Sequence, residues 1–347
     1  MDLVLTLDYE LYGDGTGDVF HHIIDPTEKI LEICAKHNIK ITVFFEILEY
    51  LKIKGQRDAG NLMGYAEDPV EAIEKQIKMM ALSGHDVQLH VHPQWHNAIW
   101  DHDHWVVDFD NWRLGGFDSS DGYTIESMLR EGKAVLESLI KPVLPDYECI
   151  ALRAGGYNVM PSEAVYDAML SVGLKVDSSV FPGGYEVGNL SRYDYRGAAT
   201  DLDYWPVRRE DFCQKATTGE VLEVPIFAIP QRRFWKLSLS RVLSVVRSKR
   251  AARTHRSIGT QSKSLFQKLS YMIGRESFTW DFCLFGMALH KRFFQKIFRD
   301  YRGREIFVLV GHPKGFVSGR DFEKMICYSK EKGFSFVTLK CAVANGL

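Results

Sequence analysis

Two carboxylates, Asp8 and Glu10, close the apolar run that begins at Leu3, and two histidines, His90 and His92, close the run that begins at Val87. Side chains two apart on a strand point to the same face, so each pair converges. One carboxylate and two imidazoles are three protein ligands for Zn2+ or a similar divalent ion, with a fourth position left for water. The other carboxylate can then accept that water's proton. His312, just after the run Ile306 to Val310, can give a proton to a leaving group. Arg153 precedes the glycines Gly155 and Gly156, and Asp177 ends the short run Leu174 to Val176. A guanidinium at Arg153 is suited to holding a catalytic carboxylate ionised and oriented. Together these parts can hydrolyse an amide or an ester with the help of a metal.

The surrounding sequence has the rhythm needed to bring them together. Leu3 to Leu7, Ile39 to Phe45, Val87 to Val91, Cys149 to Leu152, Val221 to Phe227, Ile306 to Val310 and Phe334 to Leu339 read as strands. Between them, Thr27 to Lys36, Pro69 to Leu82 and Ile125 to Leu139 read as helices; the second carries Ala72, Ile73, Ile77, Met80 and Ala81 at helical spacing. Strand and helix alternating in this way build a parallel sheet or barrel, whose sites collect at the C-terminal ends of the strands. Residues 97–123 break the rhythm, with many aspartates among Trp100, Trp105 and Trp112. They read as a long loop beside a pocket, with indoles on which a sugar ring can stack.

Composition narrows the class. A chain of 347 residues with 46% hydrophobic content can bury one large core, and a net charge of −2 offers nucleic acid no general attraction. The six cysteines form no C-x-x-C pair, which points to a reducing compartment. The first residues lack the parts of a signal peptide, and no apolar run reaches the ~20 residues of a spanning helix. A cytoplasmic location is expected. One segment stands apart: residues 231–275 hold twelve Lys or Arg and no acid. Phe234, Leu237, Val242 and Val245 fall near one helical face, so this basic insertion is expected to touch an anionic membrane peripherally. A core-packed helix and a basic loop that clamps substrate phosphates are the other readings of the same residues.

The ordered set of strand ends resembles the polysaccharide deacetylases, the NodB-homology or carbohydrate esterase family 4 group. Thr6-Leu7-Asp8-Tyr9-Glu10 is similar to D-x-E variants of that family's first motif. Gly84-His85-Asp86-Val87-Gln88-Leu89-His90 is similar to its second, Arg153 to Tyr157 to its third, and Leu309-Val310-Gly311-His312-Pro313 to its last. Asp177-Ser178-Ser179-Val180 with Pro182 resembles a turn seen in several branches, and Thr42 to Phe45 the second strand. The resemblance implies an α/β fold, a distorted (β/α)7 TIM-like barrel, here one domain over 1–347 with the insertion inside it. It implies Asp8 as general base oriented by Arg153, His312 as general acid, and Glu10, His90 and His92 as ligands of one divalent ion, zinc first. His96 is the alternative to His92. Asp177 joins the catalytic set. The implied activity is removal of an N-acetyl or other N-acyl group from an amino sugar or glycan of a bacterial surface-polysaccharide precursor, such as one for O-antigen or capsule. Two rivals use the same residues differently. A glycoside hydrolase would pair Asp8 and Glu10 ~5 Å or more apart across a sugar, and a non-catalytic carbohydrate-binding protein would need only the aromatic loop.

Overall fold

The computed structural model describes residues 1–232 and 274–344. Of the basic insertion only Gln231, Arg232, Gly274 and Arg275 fall among these residues; the amphipathic stripe from Phe234 to Val246 lies outside them. No described helix is long and apolar enough to cross a membrane.

The first half alternates as its apolar periods require. Strand β1 (Asp2–Tyr9) leads to α1 (Asp25–Lys36), β2 (Thr42–Glu46), α2 (Ile47–Asp58), α3 (Pro69–Leu82) and β3 (Asp86–Val91). Helix α3 starts where Asp68 accepts the backbone N–H groups of Val70 and Glu71, with Pro69 as its first residue. Its Val70, Ile73, Ile77 and Met80 are buried, each worth roughly 1.5–3 kcal/mol. The chain then leaves α3 through Gly84 at φ +83°, a left-handed position suited to glycine.

The expected long loop contains a short hairpin, β4 (Ile99–Asp101) against β5 (His104–Val106). Beyond it come α4 (Ile125–Ile140), β6 (Ala151–Ala154), α5 (Glu163–Val172) and β7 (Val176–Asp177). A region with no strong sequence signal follows: the ribbon β8 (Tyr185–Val187) with β9 (Arg192–Asp194), then β10 (Trp205–Arg208) and β11 (Asp211–Lys215). The run expected as a strand from Val221 to Phe227 pairs as β12 only at Leu222–Glu223, because Pro225 has no N–H to give to a ladder. Strand β13 (Ala228–Arg232) pairs with β14 (Arg275–Thr279). The chain ends with α6 (Met287–Asp300), β15 (Ile306–Gly311), α7 (Gly319–Glu331), β16 (Ser335–Val337) and α8 (Leu339–Val343).

Apart from the pairs β4–β5, β8–β9 and β13–β14, these strands form one ten-stranded sheet in the order β11-β10-β12-β7-β6-β3-β2-β1-β15, with β16 beside the first half of β1. Only the β10 pairings are antiparallel. The sheet curls: a parallel bridge from Ile226 to Val308 brings the residues after β12 against β15. The architecture is α/β with a curled, mainly parallel sheet. Leu3, Val4, Leu5 and Leu7 of β1 have no exposed surface, so its two faces are both covered, as a central parallel strand requires.

Candidate metal centre

Strand register lines up the chemistry. Tyr9 is paired with Phe45, Glu46 with His90, and His90 with Arg153, so Glu10, Glu46, His90 and Arg153 stand in one row across four strand ends. On the other side Leu7 is paired with Gly311, which sets Asp8 beside His312. Sequence spacing alone could place Asp8 with Glu10 and His90 with His92. The ladders place the two pairs together.

Glu10 is the hub. Its Oε2 lies 2.6 Å from His92 Nε2 and 3.3 Å from His90 Nε2, and its Oε1 lies 2.9 Å from Lys314 Nζ. Burial works to raise the Glu10 carboxyl, but Lys314 and the two imidazoles hold it well below the usual carboxylate range. Burial likewise works to lower His90, and the Glu10 carboxylate beside it raises it to about 9. Despite these short contacts, His90 Nε2 and His92 Nε2 have no partner at hydrogen-bonding angles. The opposite ring nitrogens are committed: His90 Nδ1 to the Arg153 carbonyl at 2.8 Å, and His92 Nδ1 to Gln94 Nε2 at 2.8 Å. Each ring therefore turns its Nε2 toward Glu10, the arrangement of second-sphere contacts that orients metal-binding histidines.

Glu46 completes the cluster. One of its oxygens caps α2 by accepting the Leu48 N–H at 3.1 Å, while the other is buried without a hydrogen bond. Burial raises its carboxyl, and the nearby His92 and His90 work against that. Donor atoms of Glu10, Glu46, His90 and His92 all lie within 4.8 Å of one another. Three buried donors lacking hydrogen-bond partners, of N, N and O type, fit a divalent ion of the zinc class.

Arg153 has no exposed surface, and all three of its nitrogens donate. Nη1 donates to Asp8 Oδ1 at 2.6 Å and to Thr6 Oγ1 at 2.7 Å; Nε and Nη2 donate to the Ser178 carbonyl and hydroxyl at 2.7 and 3.0 Å. Its guanidinium also lies over the Phe44 ring at 4.2 Å. The second Asp8 oxygen faces His312 Nε2 at 3.5 Å, and the same nitrogen is 3.6 Å from Glu10 Oε1. His312 is the most open member, with a side chain 24% exposed.

Asp177 and His96 each have partners of their own. Asp177 is buried against Ser179, whose hydroxyl donates to it at 2.8 Å, and against the carboxyl of Glu223, which burial raises well above its ordinary range. These contacts tie Asp177 to the strand ends beside Arg153. His96 lies outside the donor cluster: its Nε2 contacts Asp121 at 2.9 Å and its ring stacks on Tyr123 at 4.2 Å. The helical turn after Pro93 carries it off the face that His92 shares with His90. Of the three tryptophans, Trp105 is buried between Trp95 and Trp100, and only Trp112 reaches the centre, edge-on to His92 at 6.1 Å.

Glu46, Lys314 and Gln94 were missed as site residues. Glu46 read as the start of a helix, which it also is; a carboxylate ending the strand between β1 and β3 was the available signal. Gly155 has a steric role. A Cβ there would lie 2.4 Å from His92 Cγ. Gly155→Ala should displace that ring and lower metal occupancy measured by elemental analysis, with a melting temperature close to wild type. Full occupancy in this variant would mean that His92 is not a ligand.

No family model and no curated protein matches the chain. Among solved structures it is similar to a Mycobacterium smegmatis chain assigned as a polysaccharide deacetylase, with 14% identity over 99% of this chain and 89% of that one and a TM-score of 0.47. It is also similar to Puue allantoinase, with 12% identity over 97% and 87% and a TM-score of 0.48. A third is a peptidoglycan N-acetylglucosamine deacetylase, with 13% identity over 98% and 86% and a TM-score of 0.37. At such identities no residue role carries over from them.

Proposed function

We propose that the protein is a metal-dependent hydrolase that removes an N-acyl group, acetyl foremost, from an amino sugar of a surface-polysaccharide precursor in the cytoplasm. The observation that carries this reading is the cluster of Glu10, His90 and His92 with a carboxylate held by arginine and a partly exposed imidazole beside it. The motif order over Asp8 to Pro313 supports the sugar amide as substrate class.

Glu10, His90 and His92 would hold the ion, with Glu46 at its flank. When bound, the ion supplies Lewis-acid polarisation of the acyl carbonyl and makes water a stronger acid. Asp8 accepts the proton of the attacking water at Oδ2, the oxygen that Arg153 leaves unengaged. Arg153 keeps Asp8 charged and fixes its plane. The water oxygen joins the acyl carbon, the C–N bond breaks, and His312 Nε2 delivers a proton to the departing amine. The exposure of His312 suits a group that must reach a sugar nitrogen at the rim. A glycosidase reading fits poorly, because such an enzyme needs one protonated carboxyl, whereas Glu10 sits against Lys314 and two imidazoles and Asp8 against the Arg153 guanidinium at 2.6 Å.

The test is incubation of the purified chain with candidate N-acetylated amino-sugar precursors and mass spectrometry of the products. Loss of one acetyl unit that stops with chelator and returns with Zn2+ is the expected result. A cleaved glycosidic bond, or no chelator effect on deacetylation, would overturn the reading.

A further inference from the structure

We infer that a cavity between the β13–β14 ribbon and α6 is a phosphate-binding site, taking the phosphate or diphosphate of a phosphorylated ligand. The cavity measures about 410 Å3 and is lined by Arg232, Arg275, Arg292, Lys296 and Arg299 together with Pro230 and Gln231. No acid lines it. Asp300 pairs with Lys296 and Arg299, and Glu276 stands opposite Gln231 on the ribbon, so positive charge remains in excess.

Two placements bring like charges together. Arg232 and Arg275 are direct cross-strand partners, and like charges directly opposite repel. On α6, Arg292 and Lys296 are four apart and Arg299 three further, so the three share one face. The negative end of the helix dipole favours Arg299 in the last turn. It does nothing for the two ribbon arginines. An anion between ribbon and helix would relieve the Arg232–Arg275 repulsion, and planar guanidinium forks match phosphate oxygens in pairs. Arg292 is already aimed, since Gln231, 5% exposed, accepts from its Nη2 at 3.2 Å. Helix α6 ends at Asp300 before β15 begins at Ile306, so the cavity lies toward the end of β15 opposite His312. None of its lining residues belongs to the hydrolytic centre.

The experiment uses the full chain and two probes. Inorganic pyrophosphate is titrated calorimetrically, and flotation is measured with phosphatidylcholine vesicles containing phosphatidic acid. Wild type should bind pyrophosphate saturably, and Arg232→Gln/Arg275→Gln should weaken binding by about tenfold or more, since charge-assisted hydrogen bonds are lost. The melting temperature of that variant without anion should not fall, because the repelling pair has been removed; Arg275→Gln alone serves if the double variant does not fold. Flotation that pyrophosphate reverses would assign the phosphate to a lipid headgroup. Pyrophosphate binding without flotation would assign it to a soluble ligand. Absent or non-saturable pyrophosphate binding, or equal binding by the variant, overturns the site.

Discussion

Replacing His90 by alanine should empty the metal centre and reduce turnover by on the order of 10³ or more, the scale of several kcal/mol of Lewis-acid stabilisation. The expectation rests on His90 Nε2, buried beside Glu10 with its other nitrogen tied to the Arg153 carbonyl. Elemental analysis of purified protein would fall from about one ion per chain to near zero. His96→Ala is the informative control. Its ring is engaged by Asp121 and Tyr123, so metal content should stay at the wild-type level. Full occupancy in the His90 variant, or loss in the His96 variant, would reassign the ligands.

Replacing Asp8 by asparagine should separate binding from chemistry. The amide keeps an oxygen for Arg153 Nη1 but has little basicity, so metal should remain while kcat falls ~10²–10⁴-fold. Exchanging a buried carboxylate for an amide beside Arg153 also weakens a charged hydrogen bond, so a lowered melting temperature is expected. The assay therefore belongs well below that midpoint. Metal loss in Asp8→Asn would make Asp8 a ligand and reverse its role with Glu10. His312→Ala should keep metal too, and its defect should shrink on an ester, whose leaving group needs less protonation.

Much of this architecture was legible in the residues. The helical periods of α1, α3 and α4 and the apolar runs of β1, β3 and β15 matched their elements closely. The same-face argument for His90 with His92 needed only a two-residue period. Other features depend on contacts between distant segments. Glu46 enters the cluster because β2 lies between β1 and β3 in a register that no local pattern encodes. Lys314 meets Glu10 across 304 residues of sequence, through the pairing of β1 with β15. Asp177 ends a strand, and its neighbour Glu223 arrives through the pairing of β7 with β12, which the local sequence does not encode. The strand expected from Phe334 to Leu339 stops at Val337, where Thr338 begins a helix by accepting the Cys341 N–H. Strand and helix-cap propensities compete there, and the cap wins.

The burial of Arg153 under Asp8 has a consequence for how such a chain can drift. A guanidinium with no exposed surface tolerates the loss of its counter-charge badly; stranding one member of a buried pair costs ~3–5 kcal/mol, a large share of a domain's stability. A lineage that ceases to need the reaction therefore cannot discard Asp8 cheaply while Arg153 stays. His312, with the most open side chain of the site, can be replaced at less cost to folding. Among descendants that have lost activity, decay should begin at His312 and reach the Asp8–Arg153 pair last, with the two residues changing together. Such an inactive chain would go on displaying an intact base and arginine long after turnover had gone.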